Sequence, residues 1–111
     1  MHTITDKIDA ITLIDDAHRV PAPPCPRSVK IELTARCNFN CSFCATGYNL
    51  RSKRDMDRNF YSRLLADLRE AGVEEVGMFY LGESFLLDWL PDAVAEAKDL
   101  GIPYVFLTTN G

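Results

Sequence analysis

Three of the four cysteines, Cys37, Cys41 and Cys44, fall within eight residues, and no other feature constrains the fold as tightly. Thiols so crowded in sequence are crowded in space whatever surrounds them. Four cysteines could make two disulfides, yet reduced thiols clustered in one loop more often bind metal. The loop therefore needs a stem that holds it in place. Directly before it, Val29, Ile31 and Leu33 alternate with Lys30 and Glu32, the period-two pattern of a strand with one buried face.

Downstream, strands and helices alternate. Asp55 or Asp57 can cap a helix running through Glu70, with Phe60, Leu64, Leu65 and Leu68 on one stripe and Gly72 as a left-handed stop. Val73 to Leu81 is rich in Val, Phe and Tyr and uncharged after Glu75, as expected of a strand covered on both faces. Gly82 ends it. Pro91 suits the first turn of a helix through Val94, Ala97 and Leu100, which Gly101 closes. Ile102 to Leu107 reads as a third strand, with Pro103 tolerable near its start. This β-α-β-α-β order implies parallel strands whose carboxyl ends collect the functional groups. Those ends carry the cysteine trio, Gly82-Glu83, and Thr108-Thr109-Asn110-Gly111.

Upstream, Ile8, Ile11, Ile14 and Ala17 recur every three positions and suggest a short amphipathic helix within Thr5 to Arg19. Pro21, Pro23, Pro24 and Pro26 then predict an extended linker. Residues 1–28 are accordingly expected to form an N-terminal helix and linker, and residues 29–111 the compact α/β unit.

Composition closes off other classes. At 47% hydrophobic and 25% charged residues, the chain matches ordinary globular domains and not disordered ones. Its longest uncharged stretches, Cys37 to Leu50 and Leu100 to Gly111, are shorter than the roughly 20 residues of a membrane span. Met1 to Val20 carries acids where a signal peptide would be apolar. A cytoplasmic location is the expectation. Ten of the twelve bases lie between Arg19 and Arg69, but the net charge of -4 argues against a general nucleic-acid binder.

The segment Cys37-Asn38-Phe39-Asn40-Cys41-Ser42-Phe43-Cys44 can wrap one iron-sulfur cluster with three thiolates, leaving one iron open. Four-cysteine ferredoxin spacings differ from it. Two alternatives stand beside this reading. A structural zinc site could be completed by Cys25 or His18, although structural zinc ligands usually come in C-x2-4-C pairs. An electron carrier could recruit Cys25 as fourth ligand; otherwise Cys25 is a spectator thiol.

The C-x3-C-x2-C spacing after a first strand resembles the signature of the radical S-adenosylmethionine (radical SAM) superfamily, over about Val29 to Gly111. The resemblance implies an α/β partial (β/α) barrel with parallel strands, of which this chain holds the first three strands and two helices. It implies a [4Fe-4S] cluster on Cys37, Cys41 and Cys44, with S-adenosylmethionine chelating the open iron. One electron, from a donor such as flavodoxin or ferredoxin, would then cleave the sulfonium to a 5′-deoxyadenosyl radical that takes a hydrogen atom from a substrate. A peptide is the mild preference. By the same resemblance Phe43 packs near the adenine, Glu83 receives the methionine ammonium within a Leu81-Gly82-Glu83 variant of the family's Gly-Gly-Glu, and Asn110 lies near the cofactor. Leu81 and Ser84 depart from the family's usual glycine and proline. The family's later strands lie outside this sequence, so the chain is expected to be a fragment, poorly folded and inactive by itself.

Arg51, Lys53, Arg54 and Arg58 read as a solvated surface. Trp89, Phe79 and Tyr80 read as core or barrel wall. His2 and His18 have no assigned role, and no residue is singled out as a catalytic acid, base or nucleophile.

Overall fold

Three parallel strands form one sheet in the order β1 (Ser28–Lys30), β2 (Glu75–Gly77), β3 (Tyr104–Phe106), with Val29, Val76 and Val105 in register. The computed structural model describes residues 3, 6–8, 10, 14–48 and 51–111. Helix α1 (Arg58–Glu70) crosses from β1 to β2, and α2 (Leu90–Asp99) from β2 to β3. This is the α/β order that the hydrophobic periodicity predicts.

Each crossover helix is bounded by local chemistry. Asp57 accepts a hydrogen bond from the Phe60 N–H at 2.8 Å and so caps α1. Asp55, the other candidate, is used elsewhere. Gly72 and Gly101 have φ of +89° and +88°, the left-handed conformation that costs other residues a clash. After each, the next N–H reaches back into the helix, Val73 to the Leu68 carbonyl and Ile102 to that of Ala97. Both helices thus close in the same glycine-dependent way.

The apolar stripe of α1 differs from the expected one. Tyr61 and Leu65 are fully buried, with Leu64 and Leu68 packed against the core, whereas Phe60 is 46% exposed. The face that packs on the sheet is thus turned by one position, so that Tyr61 and not Phe60 enters the core. The Tyr61 hydroxyl donates to the Ala93 carbonyl at 2.7 Å, and its ring lies 5.4 Å from that of Trp89, joining α1 to α2. On α2, Leu90, Ala93 and Ala97 are buried, while Leu100, just past its end, is exposed. Small residues at 93 and 97 let α2 lie close to the sheet.

The sheet's other face carries Ser28, Lys30, Glu75, Gly77, Tyr104 and Phe106. Gly77 leaves room there for the Phe106 ring, which would lie 2.7 Å from a methyl group at that position. Phe106 meets Phe79 edge-on at 5.3 Å and stacks on Tyr104. Both faces of β2 are therefore covered, and Glu75 to Met78 are all buried. Trp89 and Phe79 are wall residues as expected, but Tyr80 is 62% exposed.

All three strands are shorter than expected, and β1 opens at Ser28, inside the stretch read as linker. The reason for the early end of β1 is a change of partner. After the Ile31 N–H bonds to Gly77, the backbone leaves β2 and pairs with residues 54–56: Ala35 N–H to Arg54, Met56 N–H to Leu33, and an antiparallel bridge between Thr34 and Asp55. Asp55 locks this exchange by accepting from the Thr34 hydroxyl at 2.6 Å and from Arg36 at 2.9 and 3.0 Å. The helix expected within Thr5 to Arg19 lies partly outside the described residues. Asp6 to Ile8 and Ala10 are helical, Asp16–His18 forms a single 3₁₀ turn, and Ile8 and Ile14 are exposed. No helix among the described residues is long and apolar enough to cross a membrane.

The main chain at Gly82 lies tight against another stretch of backbone. A methyl group there would lie 2.0 Å from the Thr34 carbonyl oxygen and 2.9 Å from that of Arg36. Neither obstacle can rotate away, since both are main chain. Gly82→Ala is therefore expected to destabilise the protein by about 3 kcal/mol or more, at or above the top of the usual range for overpacking, read by chemical denaturation. Asp55 supplies a second test. Hydrogen bonds from Arg36 and Thr34 hold its carboxyl below the ordinary aspartate value, so its stabilisation is complete above the unfolded pKa of about 3.9 and is lost as pH falls through the lower folded value. The stability difference between wild type and Asp55→Asn is expected to shrink as the denaturation series moves below about pH 4.

Candidate functional site

The three strand ends meet at one point. Past β1, Thr34 to Arg36 leads straight into Cys37; past β2, the chain turns through Gly82 to Glu83; past β3 come Thr109 and Asn110. The Glu83 N–H donates to the Arg36 carbonyl at 2.8 Å. The close approach of Gly82 to the same stretch presses the second strand's exit against the stem of the cysteine loop.

Glu83 is 5% exposed and still carries a carboxylate. Its Oε1 accepts from the Thr109 hydroxyl at 2.7 Å and the Phe85 N–H at 3.2 Å, and its Oε2 from the Asn110 N–H at 2.8 Å. Burial pushes its pKa up, but the hydrogen bonds from Asn110, Thr109 and Phe85 outweigh burial and hold it below the usual glutamate value. The group is an anion at neutral pH. The bond to Phe85 also caps the 3₁₀ turn Ser84–Leu86, whose first residue donates its hydroxyl to the Met78 carbonyl.

Asn110 bridges the first and third strand ends. Its Nδ2 donates to Asn38 Oδ1 at 3.0 Å and lies 3.7 Å from the Cys37 sulfur. Glu83, Asn38, Phe85, Leu86, Thr109, Asn110 and Gly111 line a cavity of about 420 Å³. A second cavity, of about 300 Å³, is lined by Asn40, Cys41, Ser42, Cys44 and Tyr48.

Cys37, Cys41 and Cys44 are half-buried and in no disulfide, and the Cys44 N–H bonds to the Cys41 carbonyl. Among the described residues no three His, Cys, Asp or Glu side chains converge closely enough for a single metal ion. A zinc site built on Cys25 or His18 thus finds no geometric support: Cys25 is exposed with its thiol on the Pro26 carbonyl, and His18 is paired with Asp15. The donor set fits an iron-sulfur cluster better, because each thiolate then binds a different iron and need not converge on one. Phe43, immediately before Cys44, is 91% exposed.

Several residues at the site carry no signal in the sequence. Glu32 looks like an outward strand residue and Arg51 like part of a charged surface, yet they form a bidentate ion pair at 2.5 and 2.6 Å. Glu32 Oε1 also accepts the N–H groups of Leu81 and Gly82, both at 3.1 Å. Arg58 pairs with Asp92 on the surface, as its charge run suggests. The Arg36–Asp55 pair would have been visible only to someone expecting the strand to change partners.

The radical SAM superfamily model matches residues 31–111. The chain is 41% identical over 91 residues to a PqqA peptide cyclase of Xanthomonas oryzae pv. oryzae (strain MAFF 311018), a match covering 81% of this chain and 24% of that protein. It is 36% identical over 92 residues to a PqqA peptide cyclase of Streptomyces rochei, covering 82% of the chain and 25% of the relative. The chain thus spans about a quarter of the length of the curated relatives it matches. Among solved structures, BtrN in complex with AdoMet and 2-DOIA superposes with a TM-score of 0.71 at 22% identity, over 77% of this chain and 36% of that one, a likeness of fold. With the family model matched from Ile31 to the last residue, the chain belongs to the radical SAM superfamily.

Proposed function

We propose that this chain supplies the cluster-binding and S-adenosylmethionine-binding half-site of a radical SAM enzyme acting on a peptide. The observation that carries the reading is the meeting of three strand ends around one buried carboxylate, Glu83, a hydrogen-bonded step away from Cys37. Cys37, Cys41 and Cys44 hold the [4Fe-4S] cluster. When bound, the cluster supplies the electron, delivered by a small reduced protein such as a flavodoxin or ferredoxin, that splits the sulfonium and yields the 5′-deoxyadenosyl radical for hydrogen abstraction.

The chain's own residues bind and orient. Glu83, anionic and fixed by Thr109, Asn110 and Phe85, receives the methionine ammonium, a charge-assisted pairing in a partly dry pocket. Gly82 lets that carboxylate sit against the cysteine stem. Asn110 spans from the Glu83 loop to Cys37 and Asn38 and lines the cavity. Phe43, exposed on the cysteine loop, would cover the adenine. A peptide substrate is supported by the relatives' name, peptide cyclase.

Anaerobic reconstitution with iron and sulfide, carried out in a full-length enzyme that contains this segment, is expected to give a brown protein. Replacing Cys37, Cys41 and Cys44 together by Ala should abolish iron uptake and 5′-deoxyadenosine formation with a reductant, whereas Cys25→Ala should leave both unchanged. Stoichiometric zinc without iron, or loss of the cluster in Cys25→Ala, would overturn the proposal. Glu83→Ala should keep its iron and bind S-adenosylmethionine about tenfold or more weakly, the loss expected for one charge-assisted contact, read by anaerobic titration calorimetry.

A further inference from the structure

Glu32 sits between two core residues, Ile31 and Leu33, and points away from them. A glutamate there would ordinarily reach for water. This one is held instead by four hydrogen bonds from two directions: two from the Arg51 guanidinium and two from the consecutive N–H groups of Leu81 and Gly82. Its side chain is 18% exposed, against 43% for Arg51. Burial raises its pKa, but Arg51 and the two N–H groups outweigh burial and keep it ionised. Arg51 follows the cysteine loop in sequence, and its hydrogen bond to Glu32 outweighs partial desolvation and holds its proton more tightly.

The two N–H groups belong to the residues immediately before Glu83. One carboxylate oxygen, Glu32 Oε1, accepts from both, so the two consecutive N–H groups converge on a single point. Glu32 thus grips both the turn and the segment beyond Cys44. From this geometry we infer that Glu32 is a positioning residue: it fixes the Leu81–Gly82 turn so that Glu83 meets the ammonium of S-adenosylmethionine, and through Arg51 it ties that turn to the cysteine loop. The inference rests on the ammonium-binding role proposed for Glu83.

The test is a double-mutant cycle on the reconstituted full-length enzyme that contains this segment, reading S-adenosylmethionine affinity by anaerobic calorimetry and iron content by colorimetry. Glu32→Ala is expected to weaken binding about tenfold with iron content unchanged, whereas Glu32→Gln, which keeps an oxygen for the two N–H groups, should stay within about threefold of wild type. In a Glu83→Ala background, Glu32→Ala should add less than about twofold, because the turn then has nothing to present. Wild-type affinity in Glu32→Ala, or an equal loss with and without Glu83, would overturn the inference. If Glu32→Ala does not fold, Arg51→Ala replaces it, with about threefold weaker binding expected only when Glu83 is present and no change counting against the inference. The two proposals fail separately. A wild type that binds no S-adenosylmethionine sinks the functional reading, whereas binding that depends on Glu83 and ignores Glu32 sinks only this one.

Discussion

The site depends on a contact between two stretches of main chain. Gly82 lies so close to Thr34 and Arg36 that a methyl group at that position would overlap a carbonyl oxygen, and the next N–H, that of Glu83, donates to Arg36. A side-chain contact could be remade by a different rotamer. This one cannot, since it is set by the paths of two strands after they part. It forces the residue before Cys37 and the residue bearing the buried carboxylate to be neighbours, whatever the loops beyond them do.

Given that contact, the electrostatics follow. A buried carboxylate is costly unless its lone pairs are used, and Glu83 has donors from its own turn and from the third strand's end. Glu32 shows the same balance one strand away, with Arg51 and two N–H groups against partial burial. In both, hydrogen bonding overcomes desolvation, so two anions stand near the thiols at neutral pH. Only one has its charge offset by a neighbouring guanidinium. The other, Glu83, is satisfied by neutral donors and keeps a net negative charge available to a cation. That difference separates a group that holds the scaffold from one suited to bind an ammonium.

Much of this was legible in the sequence, and the exceptions have physical causes. The β-α-β-α-β order, the Gly72 and Gly101 stops and the three strand ends could be read from local periodicity and punctuation, and the α1 cap could be narrowed to Asp55 or Asp57. Strand lengths could not, because strand pairing ends where a partner leaves, and the exchange of β2 for residues 54–56 is a long-range event. Phe60 and Tyr61 are adjacent aromatic residues, and which one enters the core turns on a helix phase of one position. Glu32 and Arg51 were invisible for a related reason: an acid on an alternating strand and a base in a charged loop are each ordinary, and only their meeting across nineteen positions gives them meaning.

The two ends of the sheet divide the labour. At the amino ends, α1 and α2 each turn into the next strand through a glycine-closed bend of a few residues, and Arg27 accepts the N–H groups of both Glu74 and Glu75. Such short, hydrogen-bonded connections leave little slack, and they set the register of β1, β2 and β3. At the carboxyl ends, the stretch between β1 and α1 is long enough to hold the cysteines and Arg51 and also to return and pair with Thr34 to Arg36. A loop of that length would wander if its stem were not doubly fixed, by Asp55 on one side and Gly82 on the other. The rigidity at one end of the strands is thus what permits a long, ligand-bearing loop at the other.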